Sequence, residues 1–299
     1  MFSNGQYYLL KGFSYLICIL PYSLVVRLGR GLGHIYFIVA SKQRKRGISQ
    51  AMQGLAISYG EAEKVIRRLF YNLGQMFAEV MYMPRLNAEK IRKYISIEGE
   101  EYLRQAVEAG RGVVFLTAHI GNWEWMAARL SAEGFPITTI VKQQPKAQFS
   151  RFINEYREKM GVEVFSRGTN DMIKAARALK KGKVLGFLAD QDGGADGVFV
   201  DFLRRKASTP LGPAVFAEKF DSVIVPGFIF RRPEGGYKIV IKSPFSYQRN
   251  ADKDQGLYKN TLQMTKIIEA EIINHPEEWM WFQKRWNTQY IEGNSIIDL

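Results

Sequence analysis

His119 and Glu124 are the residues whose types and spacing in this sequence suggest chemistry. A carboxylate hydrogen-bonded to one imidazole nitrogen fixes the tautomer and supports the cation formed when the ring takes a proton. The second nitrogen is then a general base. Such a pair has the logic of the serine-hydrolase dyad, with the nucleophile supplied by the substrate. Both residues lie in the stretch 112–125 (GVVFLTAHIGNWEW), which reads as a short buried strand, a tight turn and a helix start. Gly121 permits the turn, Asn122 suits the N-cap, and Glu124 falls in the first helical turn within reach of the histidine. The helix dipole would favour a carboxylate there even without a catalytic role.

Other chemistries find less support. The remaining histidines, His34 and His275, are remote in sequence and no H-E-x-x-H pattern occurs, so no metal site is expected. No G-x-S-x-G elbow is present, which removes the usual lipase reading. One cysteine, Cys18, excludes an intrachain disulfide and a cysteine-rich metal site.

The elements that must position the pair follow from the rhythm of the chain. Strands are expected at 112–118, 136–142, 162–165, 184–189, 223–230 and 237–242. Helices are expected at 99–109, 122–133, 146–159, 169–181, 208–219 and 252–273, with glycines 110, 134, 161 and 182 at the handovers. This alternation predicts an α/β fold with a mostly parallel central sheet flanked by helices. Ligand sites in such sheets gather at the carboxyl ends of the strands. His119 and Asp190 each follow a strand there, so Asp190 is a second candidate partner for the imidazole. Asp192 reads as a turn residue before Gly193-Gly194.

Residues 44–83 predict a helix with a core-facing apolar stripe ended by Pro84. Before it, residues 7–40 are strongly apolar, and the charge-free run Gly12–Val26 is interrupted by Pro21. That run is shorter than the roughly 20 residues a membrane-crossing helix needs. Residues 1–41 are therefore expected as a membrane anchor that either spans or lies in the interface, and 42–299 as a single domain. The cluster Lys42, Arg44, Lys45 and Arg46 places that domain on the cytoplasmic side of an inner membrane by the positive-inside tendency. The net charge of +13 favours an anionic partner. The cations are dispersed and no nucleic-acid module is recognisable, so a membrane surface is expected and nucleic acid is not.

The AHIGNWE stretch resembles the H-x4-[D/E] signature of membrane lipid acyltransferases. It is most similar to the late acyltransferases of lipid A biosynthesis, the lauroyl/myristoyl transferase family, relatives of the phosphatidylinositol mannoside acyltransferases. Further blocks carry the resemblance: GKVLGFLADQD (182–192), FVDFL (199–203) through STPLGPA (208–214), the strand VIVPGFIFR (223–231), and WMWFQKRW (279–286). Two departures occur: the usual Phe-Phe-Gly reads Phe202-Leu203-Arg204, and Gln283-Lys284 replaces a common histidine. They touch acyl and acceptor preference more than the reaction. The resemblance implies a glycerolipid-acyltransferase-like fold and acyl transfer from a thioester, on acyl carrier protein or coenzyme A, to a phosphorylated glycolipid. No other cofactor is implied. It makes His119 the base with Glu124 beside it. Arg167 would hold a phosphate or developing oxyanion, Asp190 would partner the histidine or accept from a sugar hydroxyl, and Asn122 and Arg204 would also contact substrate. The run Arg204-Arg205-Lys206 would meet headgroups or an acidic carrier.

Overall fold

The computed structural model describes residues 3–141, 147–166 and 168–291. Four helices come first: α1 (Ser3–Ile19), α2 (Tyr22–Val39), α3 (Ser41–Leu55) and α4 (Tyr59–Tyr82). The apolar stretch at the start is thus two helices, not one. Pro21 supplies no amide to continue α1, and its φ of −60° suits the entry to α2. The helix expected over 44–83 is also two. Ala56 is left-handed at φ 55°, and a capping box restarts the chain: Ser58 N donates to Glu61 Oε2 at 2.9 Å, and Ser58 Oγ accepts from Glu61 N.

Among the described residues no single helix is long and apolar enough to cross a membrane. Helices α2 and α3, bent by 90°, satisfy length and composition only together. On α1 and α2 the large side chains of Leu9, Ile19, Ile35, Ile38 and Val39 are each more than half exposed. The opposite face of α2 packs on α4 through glycines. A Cβ on Gly29 would stand 2.7 Å from Gln75 Cα, one on Gly33 would enter the Phe70 carbonyl, and one on Gly74 would strike the backbone of α2.

The remaining chain builds the α/β layer. In order it runs α5 (Ala88–Tyr94), β1 (Ile95–Glu98), α6 (Glu100–Glu108), β2 (Val113–Thr117), α7 (Trp123–Ala132), β3 (Ile137–Val141) and α8 (Ala147–Lys159). Next come β4 (Glu163–Ser166), α9 (Thr169–Lys180), β5 (Val184–Leu188), β6 (Val198–Phe202), β7 (Arg205–Thr209), α10 (Gly212–Phe220), β8 (Val223–Arg231), β9 (Tyr237–Ile241), β10 (Phe245–Ser246) and α11 (Lys253–Asn274). The sheet order is β1-β9-β8-β2-β5-β3-β4, with β10 beside β8. Its neighbours are parallel except β8–β9 and β8–β10. All five residues of β2 are buried, as a strand covered on both faces requires. Val113 and Phe115 join the core under α5–α8, while Val114 and Leu116 join the one under α9–α11 and α4.

Three features depart from the sequence expectation. β1 and β10 are short strands, and β6–β7 is a hairpin outside the main sheet. The helix expected over 208–219 begins at Gly212, because Ser208 and Thr209 complete β7. The hairpin turns on Leu203 (φ 47°) and Arg204 (φ 65°), both left-handed without glycine or asparagine.

The α2–α4 contact makes a prediction about two neighbouring glycines. Gly33→Ala should cost about 1–3 kcal/mol of stability through overpacking. At Gly31, nothing lies within 4 Å of an added Cβ, so Gly31→Ala should stabilise by up to about 1 kcal/mol. Unfolding transitions of both variants in detergent check it; equal effects would refute the close backbone contact.

Candidate functional site

Strands β2 and β5 pair with Thr117 opposite Leu188, and Ala189 N donates to the Thr117 carbonyl at 3.0 Å. His119 and Asp190 each lie two residues beyond that matched pair, so the register itself sets them side by side. His119 Nδ1 is 2.8 Å from Asp190 Oδ1. The Asp190 side chain is fully buried, while that of His119 is 17% exposed. Asp190 Oδ2 accepts from Trp279 Nε1 at 2.7 Å and Gln283 Nε2 at 3.0 Å. Burial alone would raise the Asp190 pKa. The His119 ring, with hydrogen bonds from His119, Gln283 and Trp279, outweighs it and holds the carboxyl well below the usual range. The ionised carboxylate therefore accepts a hydrogen bond from Nδ1–H, which leaves the ring's lone pair on Nε2.

The turn that carries the histidine is held from two sides. Gly121 is left-handed at φ 59°, and a Cβ there would enter the Ile229 carbonyl. The segment 278–280 lies alongside: Gly121 N donates to Glu278 O at 3.1 Å, and Met280 N to His119 O at 3.3 Å. On the other side, Asn122 Oδ1 caps α7 by accepting from Trp125 N at 3.1 Å, and Asn122 Nδ2 donates to Glu79 Oε2 at 3.1 Å. Glu79, on α4, is fully buried. Its two oxygens receive Arg231 Nη1 and Nη2 at 3.0 Å each, the Tyr237 hydroxyl at 2.5 Å and the Tyr22 hydroxyl at 2.9 Å.

His119 opens on a groove of about 1270 Å³ at the carboxyl end of the sheet. Glu124 lines it too, but its partner is Arg157 of α8, with Nη2–Oε1 at 2.5 Å and Nε–Oε2 at 2.7 Å. Trp123 Nε1 also donates to Glu124 Oε1 at 3.1 Å. The carboxylate hydrogen-bonded to the imidazole is thus that of Asp190. Glu124 and Arg157 together form a charged section of the groove wall.

The other sequence candidates fall in different places. Asn122 is buried behind the turn as a cap. Asp192 lines the groove and accepts from Thr288 Oγ1 at 2.8 Å. Arg204 sits exposed at the tip of the β6–β7 hairpin and is not among the residues lining the groove. Arg167 lies outside the described residues. Among the described residues no group of three or more His, Cys, Asp or Glu converges as metal ligands. Sequence reasoning did not single out Arg157 or the bond from Trp279 to Asp190, and it named Gln283 only as a departure from the family pattern. The tryptophan-rich end was visible, but nothing local in it points to a carboxylate far earlier in the chain.

Comparison with known proteins gives this geometry a context. A family model described as bacterial lipid A biosynthesis acyltransferase matches residues 2–288. The chain belongs to that family. It is an acyltransferase, of the class that transfers groups other than aminoacyl. The chain is 27% identical over 220 residues to the phosphatidylinositol mannoside acyltransferase of Mycobacterium tuberculosis, covering 71% of this chain and 67% of that one. It is 25% identical over 285 residues to the lipid A biosynthesis palmitoleoyltransferase of Escherichia coli, covering 93% and 89%. To the lauroyltransferase of the same organism it is 24% identical over 286 residues, covering 93% and 90%.

One acid beneath the acyltransferase's histidine turn gives a pH prediction. Glu278 is buried, and its Oε2 has no hydrogen-bond partner among the described residues. Burial pushes its carboxyl up from 4.5 to about 7; Arg231 opposes the rise, and Glu277 and Glu79 add to it. A carboxyl that holds its proton more tightly when folded gives its full stability below the unfolded pKa and loses it as pH rises through the folded value. Wild-type stability should therefore fall between about pH 4.5 and 7, by on the order of 3 kcal/mol from this residue. Glu278→Gln should flatten that fall. Thermal unfolding across the range decides it, and identical pH profiles would disprove the assignment.

Proposed function

We propose that the protein moves a fatty acyl group from an acyl thioester to a hydroxyl of a lipid A precursor or similar phosphorylated glycolipid. The observation that carries this reading is the His119–Asp190 pair, whose Nε2 faces a large groove in a chain of this family. A hydroxyl at Nε2 gives its proton to His119 as its oxygen bonds to the thioester carbonyl carbon. The tetrahedral oxyanion then collapses, the carbon–sulfur bond breaks, and the proton on Nε2 leaves with the thiolate. Asp190 stabilises the imidazolium formed between these steps. Glu124 acts at one remove by holding Arg157 in the groove wall. Carrier-protein and coenzyme A thioesters both suit as donors, the carrier protein being the first choice because the chain resembles the lipid A enzymes. The fold is read as glycerolipid-acyltransferase-like.

The same reading places the protein on the cytoplasmic face of the inner membrane. The uncovered apolar side chains of α1 and α2 support insertion into the bilayer interface. The cluster Lys42, Arg44, Lys45 and Arg46 supports contact with anionic headgroups.

Lipid mass spectrometry of a deletion strain, with and without the complementing gene, identifies the acceptor and the acyl chain together. The strain lacking the gene should accumulate a glycolipid short of one acyl chain. His119→Ala should fail to restore it, while remaining folded and membrane-bound. In purified protein, His119→Ala and Asp190→Asn should each lower kcat by about 10²–10⁴. Near-normal transfer by His119→Ala would sink the proposal.

A further inference from the structure

A tetrahedral oxyanion in this groove needs hydrogen-bond donors aimed at it, and most donors around His119 are already committed. Trp123 Nε1 and two nitrogens of Arg157 serve Glu124, and Arg157 Nη1 serves Asn154. Trp279 and Gln283 serve Asp190. The backbone amides of Ile120, Gly121 and Ala189 are bonded to the carbonyls of Ala118, Glu278 and Thr117. Redirecting any of these would leave a buried carboxylate or carbonyl short of a donor, at a cost that cancels the gain.

Gln191 differs from all of them. It is the residue after Asp190, its side chain is exposed, and it lines the groove. Its Nε2 rests 3.5 Å from His119 Nε2. With Nδ1–H donating to Asp190, the other ring nitrogen carries a lone pair, so the amide is the donor in this contact. At such a length the bond is weak and easily released.

We propose that Gln191 is a further catalytic residue, whose side-chain amide donates to the oxyanion formed on the thioester carbonyl. The inference rests on the acyl-transfer reading above. In the resting protein the amide occupies the base. An arriving substrate hydroxyl takes its place on Nε2, and the displaced N–H is then beside the carbonyl that the hydroxyl attacks. As the new carbon–oxygen bond forms, the carbonyl π pair moves onto oxygen, and the amide stabilises that charge. It is released again when the pair returns and the carbon–sulfur bond breaks. A donor realised mainly in the transition state raises kcat with little effect on substrate binding.

The test uses the full chain in detergent micelles, with palmitoyl or lauroyl thioesters of coenzyme A and of acyl carrier protein. The acceptor is the glycolipid that accumulates in the deletion strain. Gln191→Ala and the near-isosteric Gln191→Glu should each lower kcat by about 10²–10³, with both KM values within about threefold of wild type. A thioether analogue of the donor, which lacks the carbonyl oxygen, should bind wild type and variants equally. The side chain is exposed, so unfolding transitions should not move. If Gln191→Ala keeps kcat within about threefold of wild type, or its loss lies wholly in KM, the inference is overturned. A wild-type protein that transfers no acyl group from either donor, or a His119→Ala variant that does, overturns the acyl-transfer reading itself.

Discussion

Glu79 is an anion with no access to water, and the arrangement around it holds several parts of the molecule in place. A carboxylate so deeply buried is tolerable only when its charge is matched and its lone pairs are filled. Arg231 at the end of β8 matches the charge, and Tyr237, Tyr22 and Asn122 fill the remaining positions. Each donor comes from a different element: β8, β9, the first turn of α2 and the cap of α7. Burial would lower the Arg231 pKa, but Glu79 and the neighbouring tyrosines keep the guanidinium firmly charged. Loss of either partner would strand a buried charge at a cost of about 3–5 kcal/mol. The N-terminal helices, strands β8 and β9 and the histidine turn therefore share one electrostatic anchor.

The candidate site uses the same economy on a smaller scale. Asp190 keeps its charge because its oxygens are taken by His119, Trp279 and Gln283, and burial excludes water that would compete for them. Arg285 lies close by, fully buried, with its pKa lowered to about 10 by burial and supported by Asp190 and Asp192. The C-terminal stretch thus supplies both hydrogen-bond donors and a compensating cation to a site built on the ends of β2 and β5. Rigid support behind the ring and free space in front of it is what a positioned base requires.

Much of the frame was legible because it is written in local patterns. The all-apolar run of β2, the glycines at helix ends and the handover from strand to helix at Gly121 and Asn122 all appear where the pattern put them. What escaped was non-local. The choice between Glu124 and Asp190 depends on the register of two parallel strands separated by 71 positions, and on an arginine of α8 whose local sequence carries no mark. The β6–β7 hairpin was invisible because Leu203 and Arg204 adopt left-handed conformations that its sequence does not advertise. The break at Ala56 escaped for the same reason.

The glycine contact between α2 and α4 has a mechanical consequence. Helices that touch backbone to backbone are held by dispersion over very short distances, and a gap of about 1 Å already forfeits up to half of each atomic contact. Such a joint tolerates little separation before much of that attraction is gone. Tyr22 opens α2, and its hydroxyl ends on Glu79. A substitution that pries α2 from α4 would therefore also disturb the carboxylate behind the histidine turn.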